Sequence, residues 1–118
     1  MASVDFSIIV PVLNEEKLLP AFLRNVKEVV AGGEHYRSEL IIADGGSCDS
    51  SLGIVAQQAD IVLDLSGKPV NNIASGRNAG AKEARGDLLI FCNADVIFDE
   101  PARFLERLDT EFKEDEEM

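Results

Sequence analysis

The sequence predicts an α/β protein, a doubly wound and mostly parallel sheet packed between helices. Three observations predict it. Apolar, β-branched runs of strand length alternate along the chain with segments whose apolar residues recur at helical spacing. The first such run, FSIIV, is apolar without alternation, the mark of a strand buried on both faces, as parallel strands are. Finally, 118 residues with 46% hydrophobic and 28% charged residues allow one globular domain with a real core, and not two. Residues 1–118 are therefore read as a single domain, frayed over 1–5 and 113–118.

The first strand is expected over residues 6–10, stopped by Pro11. From 15 to 30, Leu18, Leu19, Phe22, Leu23, Val26, Val29 and Val30 repeat at helical spacing, and Gly32-Gly33 supplies the stop. ELIIAD then reads as a strand, 49–59 as a short helix, DIVLDL as a strand, 73–84 as a helix and DLLIFCN as the fourth strand. After Pro101 a last helix is expected over 102–112, running into the acidic tail KEDEEM. Strands that alternate with helices pair in parallel, and such sheets bind ligands beyond the carboxyl ends of their strands. Those ends carry residues 11–15, 44–49, 64–68 and 93–95, so the polar side chains gather along one edge.

A net charge of −11 without a basic stripe excludes nucleic acid as a partner. A chain so acidic can bind a diphosphate only if a divalent cation and a few local Arg or Lys residues offset the repulsion. Cys48 and Cys92 form no CxxC or Cys/His pattern, so no zinc site or redox pair is predicted and both are expected as free thiols. FSIIVPVL is too short to cross a bilayer and follows no basic region, and the chain reads as cytoplasmic.

Four segments carry candidate chemistry. In VPVLNEE, Pro11 fixes the turn, and Asn14 either lines a base or ribose or caps the next helix, the capping role being favoured by spacing alone. In ADGGSCDSS, Asp44 stands at a strand tip where its carboxylate can accept an N–H from a pyrimidine ring; otherwise the glycines form a tight turn and Ser47 or Asp49 caps a helix. In SGRNAGAKEARGD, Arg77 can grip a phosphate near a helix start or sit in a surface ion pair, Gly80 lets the helix lie close to the sheet, and Gly86 ends it. In FCNADVIF, Asn93 and Asp95 can project the same way from extended chain, an arrangement that suits a hard cation holding phosphate oxygens.

Taken in order, these segments resemble the family 2 glycosyltransferases, which have the A-type nucleotide-diphospho-sugar transferase fold, a Rossmann-like sheet. The likeness spans roughly residues 6–98 and rests on SIIVPVLNEE, IIADGGSCDSS, GRNAGAKEARGD and LLIFCNAD. It implies a UDP- or GDP-sugar donor, Mn²⁺ or Mg²⁺, and transfer of the sugar to an unspecified acceptor. By the same resemblance Pro11, Leu13 and Glu15 fall in the nucleotide pocket, Asp44 contacts the base, Arg77 lies beside the base or diphosphate, and Asp95 holds the metal.

The chain departs from the family pattern at Asn93, where an Asp is usual, so weaker metal binding is expected. It also stops soon after the triplet, where the family continues into the acceptor site and the general base. The acceptor half is therefore expected to be missing, and self-association through the apolar face so exposed is a further expectation. Two other readings stay open: a non-catalytic nucleotide-sugar-binding module and, more loosely, a receiver-like phosphoacceptor domain using Asp44 or Asp64.

Overall fold

The computed structural model describes residues 3–68 and 73–117, and the side chains of the last helix as far as residue 112. Its elements run β1 (Val4–Val12), α1 (Leu19–Gly32), β2 (Ser38–Asp44), α2 (Ser51–Ala56), β3 (Ile61–Asp64), α3 (Ile73–Glu83), β4 (Gly86–Phe91) and α4 (Phe104–Glu117), the last entered through a 3₁₀ turn at Pro101–Arg103. The four strands pair in parallel in the order β3-β2-β1-β4. This is the doubly wound α/β class the alternation predicts. A receiver-type sheet places β1 between β2 and β3. Here β1 lies between β2 and β4, which removes the phosphoacceptor reading.

The period of two along each strand assigns the faces. Phe6, Ile8, Val10 and Val12 of β1 and Leu40 and Ile42 of β2 pack in one cluster with Leu19, Phe22, Leu23, Val26 and Val29 of α1, Val55 of α2 and Leu105 of α4. Ile9, Pro11 and Ala43 point the other way, toward α3. That helix presents Gly76 and Gly80, four residues apart, to the sheet. A Cβ on Gly80 would strike the Ile9 side chain, and one on Gly76 would come within 3.1 Å of Pro11 Cβ. The expected role of Gly80 in close packing is borne out. The same glycines explain why α3 lacks a bulky apolar stripe.

Several boundaries differ from expectation for identifiable reasons. β1 begins at Val4, inside the stretch expected to fray, because Val4 pairs with Gly86 and Asp5 N–H donates to the Arg37 carbonyl. It also runs through Pro11, which pairs with Ala43. α1 starts at Leu19 and not at residue 15. Pro20 has no N–H to give to a preceding turn, so it is tolerated only within the first turn of the helix. α2 spans Ser51–Ala56, shorter than 49–59, while α4 continues through the acidic tail to Glu117.

Gly86 does not end α3. It opens β4, where a Cβ would collide with Ser7, and its N–H donates to Ser7 Oγ at 2.8 Å. Ser7 Oγ donates in turn to the buried Glu39 at 2.6 Å, and Glu39 also accepts the Arg85 backbone N–H and its guanidinium. This network ties the amino ends of β1, β2 and β4 together. Burial alone pushes the Glu39 carboxyl up, but the Arg85 N–H, the Ser7 hydroxyl and the guanidinium outweigh it and hold the group below the ordinary carboxylate range. No described helix is long and apolar enough to cross a membrane.

Candidate functional site

The sheet's strand order reverses between β1 and β4, and there the carboxyl edge opens into a crevice. Pro11 accounts for the opening. Cys92 N–H donates to the Ile9 carbonyl at 3.1 Å, and the next rung of a parallel ladder needs an N–H at residue 11. Proline has none, so β1 and the segment after β4 part at that point.

The cleft has a volume of about 560 Å³ and receives residues from every strand end. Pro11 and Val12 come from β1, Ala43 and Gly45 from β2 and the turn after it, Leu65 from beyond β3, and Asn93 and Asp95 from beyond β4. Leu13, Glu15 and Leu18 form the wall between β1 and α1, and Ile73 and Gly76 belong to α3. The lining is mainly apolar, with Glu15, Asn93 and Asp95 as its charged or amide groups, the pattern of a small-molecule site.

Asn93-Ala94-Asp95 lies in a turn closed by Val96 N–H to the Asn93 carbonyl at 3.1 Å, and not in extended chain as expected. The alternation survives nonetheless. Ala94 is buried in the core cluster, while Asn93 and Asp95 line the cleft. Asn93 Oδ1 is buried and has no hydrogen-bond partner among the described residues. A buried acceptor without a donor is costly, and a ligand donor or a cation would relieve it. Asp95 is exposed and lines the cleft. These two oxygens fit a hard cation whose remaining positions are filled by ligand and water oxygens. Among the described residues no cluster of three or more His, Cys, Asp or Glu could hold a metal unaided.

The turns after β1 and β2 are latched to each other. Asn14 adopts the left-handed conformation at φ 52, where asparagine is among the few tolerated residues. Its N–H donates to Ser47 Oγ at 2.9 Å and its Oδ1 accepts from Cys48 N–H at 2.7 Å. Glu15 N–H donates to Ser51 Oγ, Glu16 N–H to Asp49 Oδ2, and Ser50 N–H to Glu16 Oε2. Asn14 thus neither lines the cleft nor caps α1, whose N-cap, Leu18, makes no side-chain bond.

The other expected residues fall in different places. Pro11, Leu13, Glu15, Asn93 and Asp95 meet in the cleft; Asp44 and Arg77 do not line it. Asp44 is fully buried, and its two oxygens accept from Gly46 N–H, Ser47 N–H and Ser47 Oγ at 2.7–2.8 Å. Its own turn has consumed it, leaving Gly45 to face the cleft. Arg77 follows Gly76 by one residue, about 100° around the helix, and is exposed. Leu18, Leu65 and Ile73, the apolar walls, carried no sequence signal beyond hydrophobicity. Cys92 is buried, and burial pushes its thiol up to about 12, while Cys48 is exposed; both are free, as expected.

The sequence pattern that defines Glycosyl transferase family 2 matches residues 7–117. The chain belongs to glycosyl transferase family 2. Among its relatives, the undecaprenyl-phosphate 4-deoxy-4-formamido-L-arabinose transferase of Shewanella sediminis (strain HAW-EB3) is 38% identical over 100 residues, which cover 80% of this chain and 30% of the relative. An uncharacterized glycosyltransferase of Bacillus subtilis (strain 168), YfnE, is 36% identical over 93 residues, covering 77% of this chain and 23% of that protein. This family 2 chain therefore matches less than a third of the length of these relatives, 30% of one and 23% of the other.

Solved glycosyltransferase structures share its fold. S. aureus TarS 1-349 in complex with UDP superposes with a TM-score of 0.71 at 23% identity, over 94% of this chain and 32% of that one. The mannosyltransferase PcManGT from Pyrobaculum calidifontis, in complex with GDP-Man and Mn²⁺, gives 0.69 at 18% identity, over 88% of this chain and 31% of that one. The Rossmann-like, A-type fold expected from the motifs is the one observed.

Proposed function

We propose that this chain is the donor-binding part of a glycosyltransferase and that the cleft takes a nucleoside-diphosphate sugar, UDP- or GDP-linked, together with Mn²⁺ or Mg²⁺. One observation carries the reading: four strand ends converge on a single crevice that offers an apolar wall at one side and, at the other, Asp95 beside the orphaned oxygen of Asn93. The base and ribose lie against Pro11, Leu13, Glu15 and Gly45, and the diphosphate points toward Asn93 and Asp95. Asp44 serves the base side through the turn it holds and not through its own carboxylate. Arg77 has no part in this arrangement.

Asp95 and Asn93 would hold the metal, which when bound neutralises the diphosphate as it departs. The chain's own contribution is to fix the donor in one orientation and to keep the base side dry. Calorimetric titration with UDP, GDP and their sugars, with Mn²⁺ and with EDTA, tests this. Saturable binding that weakens on chelation is expected; no binding of any of these ligands with Mn²⁺ present would defeat the proposal. A second reading, binding without transfer, is favoured by the missing carboxylate at Asn93. It predicts the same titration but no sugar transfer to any acceptor by a chain supplied with the remainder of a relative's length.

A further inference from the structure

We propose that Asn25, in the middle of α1, is the positioning residue that sets the place of Asp95 in the cleft. This rests on the donor-site reading above. The segment from Cys92 to Glu100 belongs to no regular element, so its backbone groups need other partners. Beside the buried Ala94, two hydrogen-bonded anchors flank Asp95 among the described residues. The first is Cys92, whose N–H donates to Ile9 in the sheet. The second is Phe98. Its N–H donates to Asn25 Oδ1 at 2.6 Å, and its carbonyl accepts from Asn25 Nδ2 at 3.2 Å.

One primary amide thereby satisfies both backbone groups of a single residue, as a neighbouring strand would. The Phe98 ring is buried and packs on Phe104 at 4.6 Å, which secures the same point from the other side. Asp95 lies between the anchors, three residues from each, in the turn closed by the Val96-to-Asn93 bond. Losing the amide's two bonds leaves Phe98 held by its ring alone, which loosens the backbone on one side of the carboxylate, and ordering it again on metal binding costs entropy. Asparagine is also a poor choice for a helix interior, where alanine or leucine is intrinsically favoured. This contact, which spans 73 residues of sequence, offsets the local cost.

Two variants test it. Asn25→Ala removes both bonds, and the isosteric Asn25→Asp keeps the acceptor for Phe98 N–H while turning a carboxylate toward the Phe98 carbonyl. Each is measured three ways: Mn²⁺ titration in the presence of UDP or GDP, titration with the matching nucleoside alone, and thermal melting. Re-ordering roughly one freed backbone residue on metal binding predicts a Mn²⁺ constant weakened about fivefold, with nucleoside affinity unchanged because that side is built by the other turns. Nitrogen-15 relaxation of residues 93–98 in the unliganded Asn25→Asp chain should show increased motion.

A wild-type Mn²⁺ constant with only a lowered melting temperature would make Asn25 a structural clamp and overturn the proposal. Parallel loss of nucleoside and Mn²⁺ binding would overturn it as well, by showing general loosening. If the wild-type chain itself shows no metal-linked nucleotide binding, the donor-site reading fails, and this inference with it.

Discussion

Replacing Asn93 by Asp tests the electrostatics of the cleft most sharply, because the effect should change sign with the cation. Asn93 Oδ1 is buried and unpartnered among the described residues, and Asp95 lines the same cleft two residues on. Without metal, the variant places a second negative charge beside the first and leaves it without a donor. A destabilisation of about 1–3 kcal/mol follows from the unsatisfied buried oxygen, and repulsion between the two acids should raise the proton affinity of the pair.

With Mn²⁺ and a nucleoside diphosphate present, the added charge is attractive. With the diphosphate cancelling about half of the cation's charge, the new carboxylate and the ion act as roughly two unit charges, which at about 4 Å and an effective dielectric of 20 interact by about 4 kcal/mol. Subtracting the cost of desolvating the new carboxylate leaves a gain of roughly 1.4–3 kcal/mol, or a Mn²⁺ constant tightened about ten- to a hundredfold. Melting curves in EDTA and in Mn²⁺ with nucleotide, with matched calorimetry, measure both halves. A variant less stable in EDTA and restored by Mn²⁺ agrees with the reasoning. Equal melting shifts under both conditions, or an unchanged Mn²⁺ constant, would refute it.

Other outcomes are fixed by the packing. Glu39→Gln should destabilise the fold by about 1–3 kcal/mol at neutral pH, since Ser7 and Arg85 lose their charged acceptor. The Glu39 carboxyl is depressed in the folded chain, so its stabilisation is present above its ordinary value of 4.5 and lost as pH falls through the lower folded value. Denaturant midpoints across that range should therefore fall more steeply for wild type than for Glu39→Gln, and parallel profiles would contradict the assignment. Gly80→Ala, driven into Ile9, should cost about 1–3 kcal/mol. The equivalent change at Gly53, in α2 with open space around it, should be neutral or stabilise by up to about 1 kcal/mol in urea unfolding.

What could be read from the sequence was what burial writes locally. Strand type, the body of helix α1 and the convergence of the carboxyl ends follow from periodicities and their alternation along the chain. Pro11 was legible as a feature but not in its effect. Its neighbours suggest a strand end, whereas the register shows the strand continuing on the β2 side and failing only on the β4 side. Asp44 was recognisable as a strand-tip acid, yet nothing local reveals that its own turn would satisfy it. The Arg85–Glu39 contact and the Asn25–Phe98 pair join residues 46 and 73 positions apart, and no spacing rule reports such partners. Asn14 illustrates the same limit: its residue type suits a cap, and the tertiary structure uses it as a strut between turns.

Anomalous scattering at the manganese edge, from crystals grown with Mn²⁺ and UDP or GDP, locates the metal relative to Asp95 and the nucleotide. A manganese peak is expected at roughly 2.0–2.3 Å from an Asp95 carboxylate oxygen, with the diphosphate on its far side and the base against Leu13 and Gly45. A nucleotide bound outside this crevice, or a manganese ion with no contact to Asp95, would contradict the proposed donor site.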